Sequence, residues 1–257
     1  MVLALGSNNA PIRSGTSGEA SPTHITMVGK PVGMFYGYVF QGLYKDSADI
    51  ASSGGFPGAI PGNIKYKDIN GDGTITAISD FDIIGNPYPD ATFGINNSVR
   101  LGRLDLSVIM TGQLGGDRME GFFEYLHNID GVFNVTRDVI NRYRSPQQPG
   151  DGKHPTTAGV SRGRVLYRDV SSLWVHDATN LNVRNVSLRY RLPDRLVRGV
   201  RDANVSFGIQ NALLLSSYPM NPEVTNYNRQ TGALTPGYDA VAYPLARTFT
   251  LGTQFGF

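Results

Sequence analysis

The fold is decided by residues 93–110, whose sequence is FGINNSVRLGRLDLSVIM. Apolar side chains alternate there with small or polar ones, and successive side chains of a strand point to opposite faces. Each half therefore predicts a strand, and Gly102 with Arg103 makes the tight turn between them. The apolar face of the first strand consists of Phe93, Ile95, Val99 and Leu101, with Asn97 as its one polar member. The apolar face of the second consists of Leu104, Leu106, Val108 and Met110.

The same alternation recurs further along the chain. Residues 181–190 carry it with a change of phase at Asn185 and Val186, which predicts a β-bulge. Residues 205–209 and 249–257 predict two more strands, and the far face of the last one is small and polar. These strands suit the roughly 9 to 11 residues that a tilted strand needs to cross a bilayer. We therefore expect these side chains to face lipid: Phe93, Leu104, Leu106, Val205, Phe207, Leu251 and Phe255.

Composition supports the same fold class. The 257 residues include 31 glycines, 13 tyrosines and 12 phenylalanines, and only 17% are charged. This balance favours short strands joined by glycine turns over helices, so we predict an all-β fold. The formal charge of +2 comes from scattered basic residues and excludes nucleic acid as a partner. A chain without cysteine has no disulfide framework, zinc-thiolate site or thiol nucleophile.

The connections between the strands alternate in length. Residues 102–103 form a short turn, residues 112–180 a very long connection, residues 192–202 a moderate one, and residues 215–245 another long one. Outer-membrane barrels join their strands by short periplasmic turns and longer external loops. The pattern predicts antiparallel strands of a large transmembrane β-barrel with long extracellular loops, although alternation alone would also suit a β-sandwich.

Other segments carry weaker indications of structure. Residues 34–44 predict a strand rich in aromatic side chains, residues 46–89 a glycine-rich loop, and residues 133–143 a short amphipathic helix. Within residues 1–33, only residues 2–5 resemble a strand. No stretch approaches the roughly 18 apolar residues of a spanning helix, and the first ten residues do not resemble a signal peptide. Since a barrel must first be exported, we expect this chain to be part of a longer protein.

One motif suits a hard cation, namely DINGDGT at residues 68–74. Alternate oxygen ligands followed by a glycine at the sharp turn form the first half of a calcium loop. Ser79 stands where such a loop has a bidentate glutamate, so Asp80 or Asp82 would have to close the site. The ligands of this possible Ca²⁺ site would be Asp68, Asn70, Asp72, Thr74 and Asp80. An ordinary polar turn explains the same residues about as well.

Other candidates for chemistry are isolated. The four histidines lie in different segments without the spacing of a metal site: His24, His127, His154 and His176. Trp174 could stack on a sugar from a loop or lie in the aromatic girdle at the membrane interface, and the girdle is the commoner role. With no nucleophile elbow and no phosphate loop, we predict that the chain is not an enzyme.

Several motifs, taken in order, resemble the SusC/RagA family of TonB-linked outer-membrane transporters. They are MFYGY at residues 34–38, the acidic loop at residues 66–72, IGNPYP at residues 84–89, SLWV at residues 172–175, and YPLART at residues 243–248 before a terminal phenylalanine. They cover nearly the whole chain, and several motifs in the right order are more specific than any one. The chain departs from the family where the acidic loop closes, because Asp80 stands one residue later than the usual aspartate.

The resemblance implies a large barrel with an N-terminal plug, powered by TonB, in the outer membrane of a Gram-negative, Bacteroidetes-like cell. It also implies a SusD-like surface lipoprotein that lids the barrel and delivers oligosaccharides or peptides. No plug, TonB box or signal peptide is found in residues 1–257, so this chain would supply only the last strands of the parent barrel. Resemblance to other barrels implies that Leu251, Phe255 and Phe257 form the C-terminal signal for the outer-membrane insertion machinery.

Two alternatives of other classes stay open. A soluble surface β-sandwich could bind glycans through the loops around Asp68 and Trp174, and its solubility without detergent would distinguish it. A β-rich hydrolase would need a pair of carboxylates. Its formal candidates are Glu120 with Glu124 and Asp80 with Asp82, and neither pair lies in a recognisable motif.

Overall fold

A computed structural model of the chain describes residues 1–16, 22–127, 134–156, 169–193, 201–223, 232–240 and 244–256. The described strands are β1 (Ile12–Ser14), β2 (His24–Thr26), β3 (Met34–Tyr38), β4 (Phe40–Leu43), β5 (Ile64–Tyr66), β6 (Phe81–Gly85), β7 (Ala91–Leu101), β8 (Leu104–Leu114), β9 (Asp117–Glu120), β10 (Val175–Asp177), β11 (Asn180–Arg191), β12 (Arg201–Ser216), β13 (Tyr238–Asp239) and β14 (Thr248–Gly256). The described α-helices are α1 (Ser47–Ser53) and α2 (Phe123–Leu126). Within these residues, neither helix is long and apolar enough to cross a membrane.

The chain divides into two compact units. One, called here the loop unit, consists of Met1–Pro87, Asp117–His176 and Val224–Ala242. The other, the sheet unit, consists of Tyr88–Gly116, Asp177–Glu223 and Tyr243–Phe257. Each unit has its own sheets.

The sheet unit is built on one five-stranded antiparallel sheet with the order β14-β12-β11-β8-β7. Strands β7 and β8 pair from Ala91 opposite Leu114 to Leu101 opposite Leu104. Gly102 makes the turn with a φ of 60°, which glycine adopts without steric cost. The predicted hairpin is therefore confirmed, and the sheet continues as an up-and-down meander.

The predicted bulge is present but lies one residue earlier. The register of β11 shifts between Val183 and Asn185, so Arg184 is the extra residue relative to β8. The insertion keeps Val183 and Val186 on the same face of the sheet, because each added residue reverses the alternation that follows. This explains the change of phase in the sequence.

The described residues of the loop unit form three small sheets. They have the orders β1-β2-β3-β6, β10-β9-β13 and β4-β5. Strand β13 runs parallel to β9, with Tyr238 opposite Met119, and therefore joins segments far apart in the chain. These short strands are held by two buried clusters more than by long ladders.

Aromatic side chains dominate both clusters. The larger consists of Ile25, Met34, Tyr36, Tyr38, Phe56, Ile64, Tyr66, Ile75 and Phe81. The smaller consists of Phe35, Met119, Val170, Trp174 and Tyr238. Strand β3 is buried on both faces and contributes to both clusters. At Gly37, a Cβ would lie 2.5 Å from the Val170 carbonyl oxygen, so only glycine lets the segment at Val170 approach β3.

Several predictions for the loop unit are wrong. Residues 34–44 form not one strand but β3 and β4, which belong to different sheets. Residues 46–89, predicted to be a loop, contain α1, β5 and β6, because Ile64, Tyr66 and Phe81 are drawn into the buried cluster. Helix α1 begins after Asp46, whose side chain accepts a hydrogen bond from the Asp49 amide.

Two further predictions differ from the structure. Residues 2–5 lie outside any strand, and β1 and β2 form later in that segment. The predicted helix at residues 133–143 starts at Phe133, which lies outside the described residues, and the part that is described contains one 3₁₀ turn, Arg137–Asn141. Val139 and Tyr143 are buried there, whereas Val135 and Ile140 are exposed, so two of the four residues predicted to pack are buried.

Candidate functional site

One face of the five-stranded sheet is mostly apolar. Cross-strand partners place Val99, Leu106, Leu188, Phe207 and Leu251 in one row that crosses all five strands. Their exposed fractions run from 37% for Leu188 to 75% for Leu251. The neighbouring row on this face consists of Asn97, Val108, Val186, Ile209 and Phe249. An exposed apolar surface of this extent marks contact with a membrane or another protein.

The opposite face of the sheet is polar. The row between the two apolar ones consists of Ser98, Ser107, Ser187, Gly208 and Thr250. Nearer the hairpin turn, the Arg100 Nε donates to Asp105 Oδ1 at 2.6 Å. At the bulge, Arg184 donates to Thr111 Oγ1 at 2.9 Å and to Glu223 Oε1 at 2.6 Å. Charged and hydroxyl groups thus line one face, as the inner wall of a water-filled or plugged barrel requires.

The side chains predicted to face lipid lie on the apolar face, and none of them is buried. Phe93, Leu106, Phe207, Leu251 and Phe255 are exposed, and Leu104 and Val205 are half-buried. A sandwich would bury these positions against a second sheet.

Among the residues of the predicted calcium loop, the carboxylates and the amide are already hydrogen-bonded to the backbone. Asp68 accepts hydrogen bonds from the Gly71 and Gly73 amides, each at 2.7 Å. The Gly73 amide is the main cause of a lowered Asp68 pKa, which burial opposes. The Asn70 side chain accepts a hydrogen bond from the Asp72 amide, and the Asp72 side chain accepts one from the Thr74 amide. The loop therefore contains two consecutive Asx-turns.

Asp80, and not Asp82, belongs to this loop. Asp80 is fully buried, and its two oxygens accept from the Ile69 amide at 3.0 Å and the Thr76 amide at 2.7 Å. Asp82 is exposed and accepts from the Ile83 amide. Backbone amides of the segment therefore hold the carboxylates at both of its ends, Asp68 and Asp80.

Trp174 has neither of the two roles weighed for it. Its side chain is only 5% exposed and packs in the smaller cluster of the loop unit. The His127 ring lies 5.0 Å from the Trp174 ring. A tryptophan buried this deeply cannot stack on a sugar or lie in a girdle at the membrane surface, so both expectations were wrong.

The predicted barrel-assembly signal lies partly within the described chain. Leu251 and Phe255 are exposed on β14, which pairs with β12 at the edge of the sheet. Phe257 lies outside the described residues.

Three histidines that sequence spacing separates are brought together in the loop unit. Glu120 has one oxygen 3.4 Å from His127 Nε2 and the other 3.3 Å from His176 Nε2. Burial alone would raise the Glu120 pKa, but the hydrogen bonds and charges of the two histidines outweigh it and lower the pKa to about 2. His154 Nδ1 lies 2.7 Å from Asp151 Oδ2. No local motif could have indicated this group, because His176 is 56 residues from Glu120.

Glu120 and Asp80 were candidates for the carboxylate pair of a hydrolase. Glu120 contacts two imidazoles and Asp80 accepts hydrogen bonds from two backbone amides, so both carboxylates already have partners within the loop unit. Glu124 lies in α2, and the structure describes its backbone but not its side chain. The fourth histidine, His24, is fully buried elsewhere in the loop unit, between Thr23 Oγ1 at 2.7 Å and the Pro236 carbonyl at 3.1 Å.

Comparison with known proteins finds relatives along most of the chain, although no family model matches it. TonB-dependent receptor P3 of Formosa agariphila is 30% identical over 241 residues, which are 91% of this chain and 23% of that receptor. TonB-dependent receptor SusC of Bacteroides thetaiotaomicron is 25% identical over 225 residues, covering 86% of this chain and 19% of that receptor.

The fold is also found among solved structures. A structure of the RagAB peptide transporter matches 99% of this chain and 25% of its own chain with a TM-score of 0.74 and 17% identity. The five-stranded sheet is thus part of a fold known from TonB-dependent transporters. The chain spans about a quarter of the length of the relatives it matches.

Proposed function

Since this chain is a relative of the SusC/RagA-type TonB-dependent receptors, we propose that it supplies the last strands of an outer-membrane barrel that imports nutrients. The imported nutrient would be an oligosaccharide or a peptide. The whole barrel would act with a SusD-like surface lipoprotein and with TonB, in the outer membrane of a Bacteroidetes-like cell. Its role would be transport and not catalysis, in keeping with relatives named as receptors.

The apolar row across all five strands carries this proposal. Val99, Leu106, Leu188, Phe207 and Leu251 form a surface that water would solvate poorly, and lipid provides the matching solvent. The serine row behind it suits an aqueous lumen. A soluble glycan-binding sandwich would bury the apolar row, and these side chains are exposed, so no observation favours that alternative.

The edges of the sheet support a larger barrel. Within the described residues, β7 and β14 each pair on one side only. An unpaired backbone group in hydrocarbon costs several kcal/mol, so further strands must cover both edges in the membrane. Leu251, Phe255 and Phe257 on the last strand would serve as the signal for the barrel insertion machinery.

A pair of adjacent residues on β11 provides a matched test. In the complete reading frame that contains this chain, Leu188→Lys puts a charge on the apolar face, and Ser187→Lys puts the same charge on the polar face. A lysine facing lipid near the bilayer midplane costs about 2–4 kcal/mol, whereas lumen positions tolerate charge. We expect Leu188→Lys to lower the amount of folded barrel in outer membranes, measured by heat-modifiable migration, and Ser187→Lys to leave it unchanged. Equal effects of the two lysines would contradict the proposed lipid face.

We further propose that the loop at Asp68, Asn70, Asp72, Thr74 and Asp80 binds Ca²⁺. The alternation of Asp68, Asn70 and Asp72 before Gly73 supports it, because a calcium loop takes its first ligands from alternate positions before a sharp turn. Calorimetric titration with CaCl₂ tests this, with Asp72→Asn as the disrupting variant and exposed Asp82→Asn as the control. Absence of saturable binding in the unaltered protein would reject the site.

A further inference from the structure

Two imidazole rings of the loop unit, those of His127 and His154, direct ring nitrogens at each other. A carboxylate can only accept hydrogen bonds, so His154 Nδ1 carries a hydrogen for Asp151 at 2.7 Å. His127 Nε2 likewise carries one for Glu120 at 3.4 Å. In neutral rings this leaves His154 Nε2 and His127 Nδ1 as acceptors, and these two atoms are 3.4 Å apart. Two lone pairs at that separation need a proton or a cation between them.

One neighbouring hydroxyl does not meet that need. Thr136 Oγ1 lies 3.4 Å from His127 Nδ1, but its single hydrogen is shared with the Leu126 carbonyl at 3.3 Å. Both distances are long for a hydroxyl hydrogen bond, whose usual length is about 2.7–2.8 Å. His154 Nε2 gains nothing from this hydroxyl.

The separation of the two nitrogens matches a metal site. Zinc–imidazole bonds are about 2.0–2.1 Å long, and two such bonds at the tetrahedral angle put the nitrogens about 3.3–3.4 Å apart. Asp138 offers a carboxylate oxygen within 4.8 Å of a ring nitrogen of each histidine. Asp138 is exposed on a 3₁₀ turn, so its side chain can rotate toward the nitrogens without repacking a core.

We infer that His127, His154 and Asp138 bind one first-row divalent cation, for which zinc is the best match. Glu120 and Asp151 would be positioning residues, because histidine ligands usually donate their other ring hydrogen to a carboxylate. The ion would join the end of α2, the 3₁₀ turn and the segment at His154. Three protein ligands leave one position of a tetrahedral ion for water or an oxygen of a bound molecule.

This site is independent of the proposed transport function and of the calcium loop. Its ligands include two imidazoles, which suit zinc, whereas the loop at Asp68 offers only oxygen atoms, which suit calcium. Both sites can therefore be tested in one protein without confusion.

The test uses the full chain in detergent, purified without a histidine tag and stripped with a chelator. Calorimetric titration with ZnCl₂ should give one saturable site per chain, and CoCl₂ should give the visible absorption of tetrahedral cobalt. His154→Gln should remove both signals. Asp151→Asn should weaken zinc binding about 10- to 100-fold, the usual effect of losing a carboxylate behind a ligand.

Two further variants keep the test decisive if His154→Gln misfolds. Asp138→Asn changes an exposed side chain and should weaken zinc binding while amide exchange of the loop unit stays unchanged. His176→Gln removes a histidine that contacts Glu120 but is not a ligand, and should bind zinc as the unaltered protein does. The inference is overturned if the unaltered chain takes up no zinc, or if Asp138→Asn and Asp151→Asn both bind it as tightly as the unaltered chain.

Discussion

The two units of this chain distribute apolar side chains in opposite ways. In the sheet unit, Leu188, Phe207 and Leu251 are exposed and serines occupy the other face. In the loop unit, Tyr38 and Tyr66 are buried and stack with ring centroids 4.4 Å apart. Both units are made of antiparallel strands for the most part, so the type of strand does not explain the difference, whereas the proposed contact of the sheet unit with lipid does. A membrane-facing sheet needs no buried core, whereas a unit surrounded by water does.

Replacing one large aromatic residue in each unit by alanine should show the largest difference in stability between the units. Trp174→Ala empties a site that is 5% exposed and should destabilise the loop unit by about 3–5 kcal/mol. Phe249→Ala removes a side chain that is 62% exposed and should leave no enclosed cavity, so we expect a loss below about 1 kcal/mol. Amide exchange of the full chain in detergent, followed peptide by peptide, measures both. Similar losses from the two variants would contradict the division described above.

Acid should lower the stability of the loop unit through protonation of His24, whereas the sheet unit contains no histidine. Burial lowers the His24 pKa from 6.5 to about 4, against the opposing hydrogen bond to Pro236. Between these values the unfolded chain binds more protons than the folded one, so stability falls as the pH drops from 6.5 to 4. The full effect is about 3 kcal/mol.

The variant His24→Gln isolates this effect. Glutamine keeps a hydrogen-bond donor and an acceptor but does not titrate in this range. Amide exchange between pH 7 and pH 4 should therefore show a smaller loss of protection at β2 and β3 in the variant than in the unaltered chain. A loss of the same size in both proteins would assign the acid sensitivity to other groups.

The smallest expected difference in stability is between alanine substitutions at two strand glycines, one in each unit. A Cβ at Gly37 would lie 2.5 Å from the Val170 carbonyl oxygen, whereas at Gly94 the nearest atom would be the Met110 carbonyl oxygen at 4.0 Å. Gly37→Ala should cost about 1–3 kcal/mol by overpacking the loop unit. Gly94→Ala should be neutral or stabilising by up to about 1 kcal/mol, because alanine loses less backbone entropy. Denaturant melts of both variants in detergent would test this, and a larger cost at Gly94 would show that the sheet unit is the more tightly packed.

The sheet unit could be predicted from the sequence because its pattern is local. A hairpin from residue 93 to residue 110, its turn and its faces follow from a repeat of two residues. The bulge was misplaced by one residue because the change of phase is visible only after the extra residue, Arg184. In the loop unit, a run of aromatics at residues 34–44 indicated one strand, and nothing local shows that β3 and β4 belong to different sheets.

By itself, the sequence determined the strands of the sheet unit, the side chains on each face and the family resemblance. Only the tertiary structure decided that Trp174 is a core residue, that Asp80 and not Asp82 joins the acidic loop, and that His127, His154 and His176 share one neighbourhood. Alternation is a property of neighbouring residues, so it survives in the sequence. Convergence of residues dozens of positions apart depends on how the whole segment packs, and no spacing in the sequence records it.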